Sequence, residues 1–558
     1  MIAFSDFKGM KKATPSKGGF SIYRDDKHWK NYIRPNILFF IHLATYSIII
    51  SGQMIFVYED LAIYSNIISG QMYTFMLIYA FMEAIIGRRE EMIILEEVLK
   101  TKDSGLMAIY GRRRVGKTFL IRNFFADRLI FELTGMYGGS LKEQLLQFSK
   151  SLQRATGSAL SLKPPDTWVE AFNALEQFLN NLPKRKKLVI FLDEFPWLDS
   201  RKSGFLSAFE HFWNSWASRQ VHLLFVICGS AASWMIRKII NNKGGLHHRI
   251  TQKMRLLPFT LAETETYLKS KGCNLDRCQI LQLYMALGGI PQYLKNVKKG
   301  DSASQAIERI CFTKDGLLSG EFNNLYNSLF EMADNHLKTV RVLAAAPKGL
   351  TRQEIIKECG LSSGGRTTLM LDELEQSGFI KSNKPYDKET KEAIYRLIDE
   401  FSLFYLKFMD KADATTSWAR LSEGTSYKIW SGMAFEAVCL KHVDQIKNGL
   451  ELKGRSTKEA SWRYIPSKGA KEDGAQIDLL IDRDDHSINI CEIKFYTGEL
   501  TIGKSYAGEL QQKLDVFQEK VKPKKTLFLT LITTYGVKDN SHSDSLVKKS
   551  LTMDVLFS

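Results

Sequence analysis

From Leu106 the chain runs LMAIYGRRRVGKTFLIRNFF: an apolar stretch, then G-x-x-x-x-G-K-T, then an amphipathic stretch. No other feature restricts the fold as much, because a glycine loop of this form has to be delivered by a strand and continued by a helix. Gly111 and Gly116 let the backbone turn so that successive N–H groups face phosphate oxygens, with Arg112, Arg113, Arg114 and Val115 forming the rest of the cradle. Lys117 is placed to reach β and γ phosphates, and Thr118 to offer a hydroxyl to Mg²⁺. The expected ligand is ATP with Mg²⁺, on an α/β fold with a parallel sheet.

Such a site needs a second, acid-tipped strand, and KLVIFLDE from Lys187 to Glu194 supplies it. Asp193 is expected to hold Mg²⁺, and Glu194 to polarise the water that attacks the γ phosphate. A third apolar run, HLLFVICG, ends at Gly229 and is followed by Ser230. Two roles stay open for Ser230: a sensor of the γ phosphate at the carboxyl end of a strand, or the N-cap of the following AASWMIRKII. Arg249, in LHHRITQKMRLLPF, is a further basic residue that could approach the phosphates.

Taken together, GRREE near residue 87, GRRRVGKT, KLVIFLDEFPWL, VICGSAASWM, RLLPFTLAE and LGGIPQYL resemble the archaeal-type ATPases of the STAND group within the AAA+ superfamily. The resemblance covers residues 83–410. It implies a nucleotide-switched ATPase with a helical lid and a winged helix, closer to a regulated switch than to a fast motor.

Downstream, NHLKTVRVLAAAPKGLTRQEIIKECGLSSGGRTTLMLDELEQSGFIKS contains three short amphipathic segments, with Thr351 and Ser362 as N-caps and Gly360 and Gly378 as stops. The alternating AIYRLID follows as a strand, giving helix-turn-helix plus wing. Ser363, Arg366, Thr367 and Thr368 would enter a major groove if the module reads DNA. The acidic, apolar second half of that helix equally suits an intramolecular spacer.

Near the end, GAQIDLLIDRDDHSINICEIKFY places Asp478, Glu492 and Lys494 inside two apolar strands. Residues i and i+2 share a strand face, so Glu492 and Lys494 project together. A hairpin around Arg483 to His486 would bring Asp478 across from Glu492. Burying such charges is costly unless they are compensated, and a divalent ion is the expected compensation. Asp478 and Glu492 would then bind Mg²⁺ or Mn²⁺, Glu436 on the preceding helix would complete the shell, and Lys494 would orient or activate water. The constellation resembles the PD-(D/E)xK nuclease superfamily, whose members include inactive proteins that only bind; Ile477 stands where the family has proline. The competing reading is a solvated hairpin with incidental charges. On the later helix KSYAGELQQKLDVFQEK, Lys504, Gln511 and Lys513 either touch a phosphate backbone or form an ordinary solvated face.

Composition narrows the partners. The 558 residues carry a formal charge of +16, which favours nucleic acid or an anionic surface, although many basic proteins bind neither. The seven cysteines contain no C-x-x-C pair, so neither a disulfide framework nor a zinc site is suggested, and a cytoplasmic location fits. Residues 36–58 and 61–82 are uncharged and long enough to cross a bilayer as a hairpin, which would tether the protein to the inner membrane. Tyr46-Ser47 through Met54, however, recurs as Tyr64-Ser65 through Met72, which favours residues 1–81 as a mis-assigned upstream extension. The expected division is an ATPase core over 82–265, a helical lid over 266–330, a winged helix over 331–412 and an α/β restriction-endonuclease-like domain over 413–558. Expected partners are ATP and DNA, with a protein partner or self-association left open. The alternative to a nuclease-coupled ATPase is a signalling switch with a non-cleaving C-terminal binding module.

Overall fold

Alternation within the apolar runs builds the first sheet. The computed structural model describes residues 85–558 except 241–245, 247, 331, 387–392, 414 and 467–473; the N-terminal extension with its apolar segments lies outside the described residues. Among those described, no helix is long and apolar enough to cross a membrane. Strands β1 (Gly105–Tyr110), β2 (Leu129–Thr134), β3 (Leu188–Asp193), β4 (Leu223–Gly229) and β5 (Gln252–Arg255) form a parallel sheet in the order β2-β3-β4-β1-β5. Met107, Ile109, Val189, Phe191, Leu224 and Val226 enter the core on one face. Leu106, Ala108, Ile190, Leu192, Phe225 and Ile227 enter the core on the other. Both faces are dry because the connections of a parallel sheet cross over it as helices. Each fully buried Leu, Ile or Phe contributes about 1.5–3 kcal/mol. Helix α1 (Lys117–Phe124) starts directly at the glycine loop.

The first of these cores does not stop at the sheet. It continues through Leu283 and Leu287, through Val340 and Leu374, and on to Phe435, Leu479 and Cys491, so the described residues form one compact unit. The segment expected to be a winged helix contains α2 (Ala333–Ala345), α3 (Arg352–Cys359) and α4 (Gly365–Gln376), with β6 (Leu350–Thr351), β7 (Ile380–Asn383) and β8 (Ile394–Leu397) in the order β6-β8-β7. Thr351 caps α3 in a capping box with Glu354, and Gly360 ends it at φ 63°. Ser362 is not the next cap: α4 starts after Gly364, and the Ser362 carbonyl accepts the Thr367 hydroxyl.

Short helix α5 (Glu400–Phe404) leads to α6 (Thr425–Lys441) and then to a mixed sheet. Its strands β9 (Thr457–Tyr464), β10 (Ala475–Arg483), β11 (Ser487–Lys494), β12 (Thr526–Thr533) and β13 (Lys549–Thr552) lie in the order β13-β12-β11-β10-β9. The first three are antiparallel neighbours, and β12 and β13 run parallel to β11. The parallel step from β11 to β12 is made by helix α7 (Lys504–Val521). The expected hairpin turn is present, with His486 at φ 58° in its tight bend.

Candidate functional site

The glycine loop leaves the carboxyl end of β1. Gly111 has φ 147°, and a Cβ there would run into the Leu256 carbonyl; Gly116 has φ 93°, where side chains are strained. Both glycines are therefore demanded by backbone shape. Lys117 follows, buried, with its Nζ donating to the carbonyls of Gly111 and Arg112 (2.8 Å each) and to Ser230 Oγ (3.1 Å). Burial lowers its pKa from the usual lysine range.

Sheet order explains how Ser230 arrives there. Because β4 lies between β1 and β3, the residue after β4 falls between the loop and the acid-tipped strand. Ser230 Oγ donates to Glu194 Oε1 at 2.6 Å, and its N–H to Oε2 at 3.1 Å. Glu194 itself has φ 45°, an uncommon conformation for a residue with a side chain, and these bonds to Ser230 help hold it. Thr118 Oγ1 donates to Asp193 Oδ2 at 2.7 Å, while burial pushes the Asp193 carboxyl above the usual range. Lys117, Thr118, Asp193, Glu194 and Ser230 thus form one connected group, with an ammonium and loop N–H groups on one side and two carboxylates on the other.

The side chains of the three loop arginines point to other partners, while their backbone belongs to the loop. Arg112 pairs with buried Asp399 and lies over the Phe379 ring. Arg114 pairs with Glu321 at 2.7 Å, and Glu321 also accepts the Tyr293 hydroxyl. Arg113 lies over Trp197. Two of them therefore fasten Glu321 and the segment after β8 to the loop. Arg249 precedes β5 and so sits at the amino end of the sheet, away from the loop, which removes it as a phosphate contact. Sequence reasoning gave Arg88 no role beyond its place in GRREE; its guanidinium donates to the Val115 carbonyl at 2.9 Å and its N–H to Glu263.

In the C-terminal sheet the register Leu479↔Cys491 carries the next residues, Asp478 and Glu492, to facing positions on β10 and β11. Glu436 on α6 comes within hydrogen-bonding reach of Asp478, and its pKa is held well above the usual carboxylate range by burial first and by Asp478 second. The compensation differs from the expected divalent ion. Arg396 on β8 reaches Glu436 at 2.7 Å and Asp478 at 3.7 Å. Lys494 and Lys513 reach Glu492 at 3.0 and 2.7 Å. Lys513, expected at a phosphate backbone or on a solvated face, is thus turned from the middle of α7 towards Glu492. Lys494 is not a buried ammonium either: it is 43% exposed at the end of its strand, whereas the Glu492 side chain is 6% exposed. Among the described residues no group of three or more His, Cys, Asp or Glu is arranged to hold a metal. Two touching carboxylates in a buried place favour a positive charge beside them, and Arg396 supplies it. Lys504 and Gln511 are on α7, where Gln511 bonds Asp515.

A family model described as an ATPase domain predominantly from Archaea matches residues 85–297. An uncharacterized protein of Methanocaldococcus jannaschii is 23% identical over 428 residues, spanning 74% of this chain and 87% of that protein. An uncharacterized ATP-binding protein of the same organism is 42% identical over 45 residues, 8% of this chain and 76% of that one. Among solved structures, the Walker-type ATPase of Pyrococcus abyssi aligns with a TM-score of 0.43 and 21% identity, covering 58% of this chain and 96% of that one.

Proposed function

We propose, from the premise that residues 85–297 are a P-loop ATPase domain of the predominantly archaeal type, that the protein is a nucleotide-dependent switch whose C-terminal sheet acts on a phosphodiester substrate such as DNA. The observation that carries the reading is that Asp478, Glu492 and Lys494 lie together on β10 and β11, with Glu436 against Asp478, inside the same compact unit as the P-loop.

At the nucleotide site, the loop N–H groups and Lys117 would bind the β and γ phosphates of ATP. Ser230, hydrogen-bonded to both Lys117 and Glu194, links the phosphate-binding ammonium to the carboxylate that would orient the attacking water. Thr118 and Asp193 would hold Mg²⁺, which when bound would neutralise phosphate charge. At the C-terminal site, Asp478, Glu492 and Glu436 are the residues that would hold Mg²⁺ or Mn²⁺, and the bound ion would supply Lewis-acid activation of the scissile phosphate. Lys494, the most exposed of the group, would orient water towards the substrate. The charge of +16 favours a polyanionic substrate.

A second reading, a binding module without cleavage in a STAND-like signalling switch, is favoured by one observation: Arg396, Lys494 and Lys513 already satisfy the acids. Incubating the protein with supercoiled plasmid, ATP and Mn²⁺ separates the two. Nicking that disappears in Asp478→Ala supports the enzyme; no nicking with any metal or nucleotide supports the module.

A further inference from the structure

Among the non-glycine residues of the phosphate loop, Arg114 alone has a left-handed backbone, at φ 69°. The loop needs that bend. Successive N–H groups converge on an anion where right-handed and left-handed residues follow one another, and glycine is the residue that takes a positive φ without steric cost. Gly111 and Gly116 do so here, at φ 147° and 93°, but between them the bend falls to a residue with a side chain. A left-handed backbone disfavours such a residue by a factor of about 5–30 in an equilibrium constant. It persists only where the surroundings fix it.

The surroundings of Arg114 do fix it. Its guanidinium pairs with Glu321 Oε2 at 2.7 Å and lies over the Tyr293 ring, 5.7 Å from the centroid. Tyr293 donates its hydroxyl to Glu321 Oε1 at 2.9 Å, so both oxygens of one carboxylate are in use. That carboxylate is held in turn. The Glu321 side chain is 4% exposed, and Glu321 opens the helix Glu321–Leu329, where the helix dipole favours a negative charge. The next residue, Phe322, stacks on Tyr405 with ring centroids 4.4 Å apart. Arg114 differs: its side chain is 34% exposed, so without Glu321 it has water to turn to and the bend loses its charged hold. Glu321 also lies beyond residue 297, where the match to the ATPase family model ends.

We infer that Glu321 is a positioning residue for ATP: by holding the Arg114 side chain it fixes the left-handed bend that turns the loop N–H groups towards phosphate, and it does so from outside the family-matched segment. The inference rests on the reading of residues 111–118 as the nucleotide site. Its sign opposes simple electrostatics. Removing a carboxylate one ion pair away from the loop, and freeing a guanidinium, would by charge alone strengthen the binding of an anion. Loss of the bend weakens it.

The test is calorimetric titration of the full chain with a non-hydrolysable ATP analogue and Mg²⁺. Glu321→Gln keeps the shape of the side chain but offers one acceptor oxygen to two donors, Tyr293 and Arg114. Affinity should fall about tenfold, within the range for a left-handed residue, at an unchanged number of sites per chain. A merely structural defect would lower the number of sites at unchanged affinity. Arg114→Gly supplies the bend without an anchor, so Arg114→Gly and the double variant Arg114→Gly with Glu321→Gln should bind the analogue equally. Should Glu321→Gln alone not fold, two charge-free pairs replace it: beside Glu321→Gln, Arg114→Ala should bind about tenfold more weakly than Arg114→Gly. Equal binding by those two pairs overturns the inference. So does unchanged or tighter binding by Glu321→Gln, or a weakening that persists in the Arg114→Gly background; in each case the nucleotide site stands. An analogue that does not bind the wild type overturns the site and the inference with it.

Discussion

Lowering the pH from 8 to 5 should weaken the join between the nucleotide-binding sheet and the C-terminal domain at His442. This imidazole follows α6 and is buried; its Nε2 accepts the Leu261 N–H at 3.1 Å, and its Nδ1 donates to the Val438 carbonyl at 2.8 Å. Only the neutral ring can do both, since protonation at Nε2 would face one donor with another. Burial, with Lys441 adding to it, lowers the pKa from 6.5 to about 4. The sign follows. Between those values the unfolded chain takes up a proton that the folded one refuses, so stability present above pH 6.5 is lost as the pH falls towards 4. At pH 5, about 1.5 units below the unfolded value, the loss is about 2 kcal/mol at 1.36 kcal/mol per unit. Urea denaturation of the wild type and of His442→Gln, whose amide oxygen can still accept the Leu261 N–H, isolates this contribution. The wild type should lose about 2 kcal/mol more than the variant between pH 8 and pH 5. Parallel pH curves for the two proteins would show that His442 does not carry the dependence and would refute the reasoning.

Three further outcomes follow from the geometry. Lys117→Ala removes a charged hydrogen-bond donor worth about 1.5–3 kcal/mol, so ATP affinity measured by calorimetry should fall about ten- to a hundredfold; unchanged affinity would refute the site. Glu194→Gln should keep ATP binding while slowing phosphate release by about 10²–10⁴-fold, as removal of a general base does; a normal turnover would move the role elsewhere. Lys513→Met leaves the buried Glu492 with Lys494 as its remaining cation and should lower stability by about 1–3 kcal/mol; a neutral effect in thermal unfolding would mean that other groups supply the compensation.

Legibility varied with the range of the interaction. The glycine loop, the acid-tipped β3 and the β10–β11 hairpin were readable because each depends on neighbours in the chain: φ values that only glycine adopts without strain, a run of apolar residues, a tight turn. Thr351 was legible as a cap for the same reason, while the Ser362 reading failed because the helix begins two residues later, after Gly364. Arginines behaved differently. Nothing local distinguishes Arg112, which holds Asp399, from Arg113, which lies over Trp197, and nothing marks Arg396 as the partner of Glu436. Long flexible cations find their acids across tens or hundreds of residues, and pattern carries no record of that choice.

The sequence by itself determined where phosphate can sit, because backbone conformation at Gly111 and Gly116 and the chemistry of Lys117 and Thr118 are local properties. It also put Glu492 and Lys494 on one strand face by alternation, and the hairpin register that sets Asp478 opposite Glu492 is the one the structure adopts. Only the tertiary structure decided what balances those acids. Burial raises the cost of every uncompensated charge, and the cations that meet it, Arg396, Lys494 and Lys513, come from a wing strand, a strand end and a crossover helix that packing alone brings together.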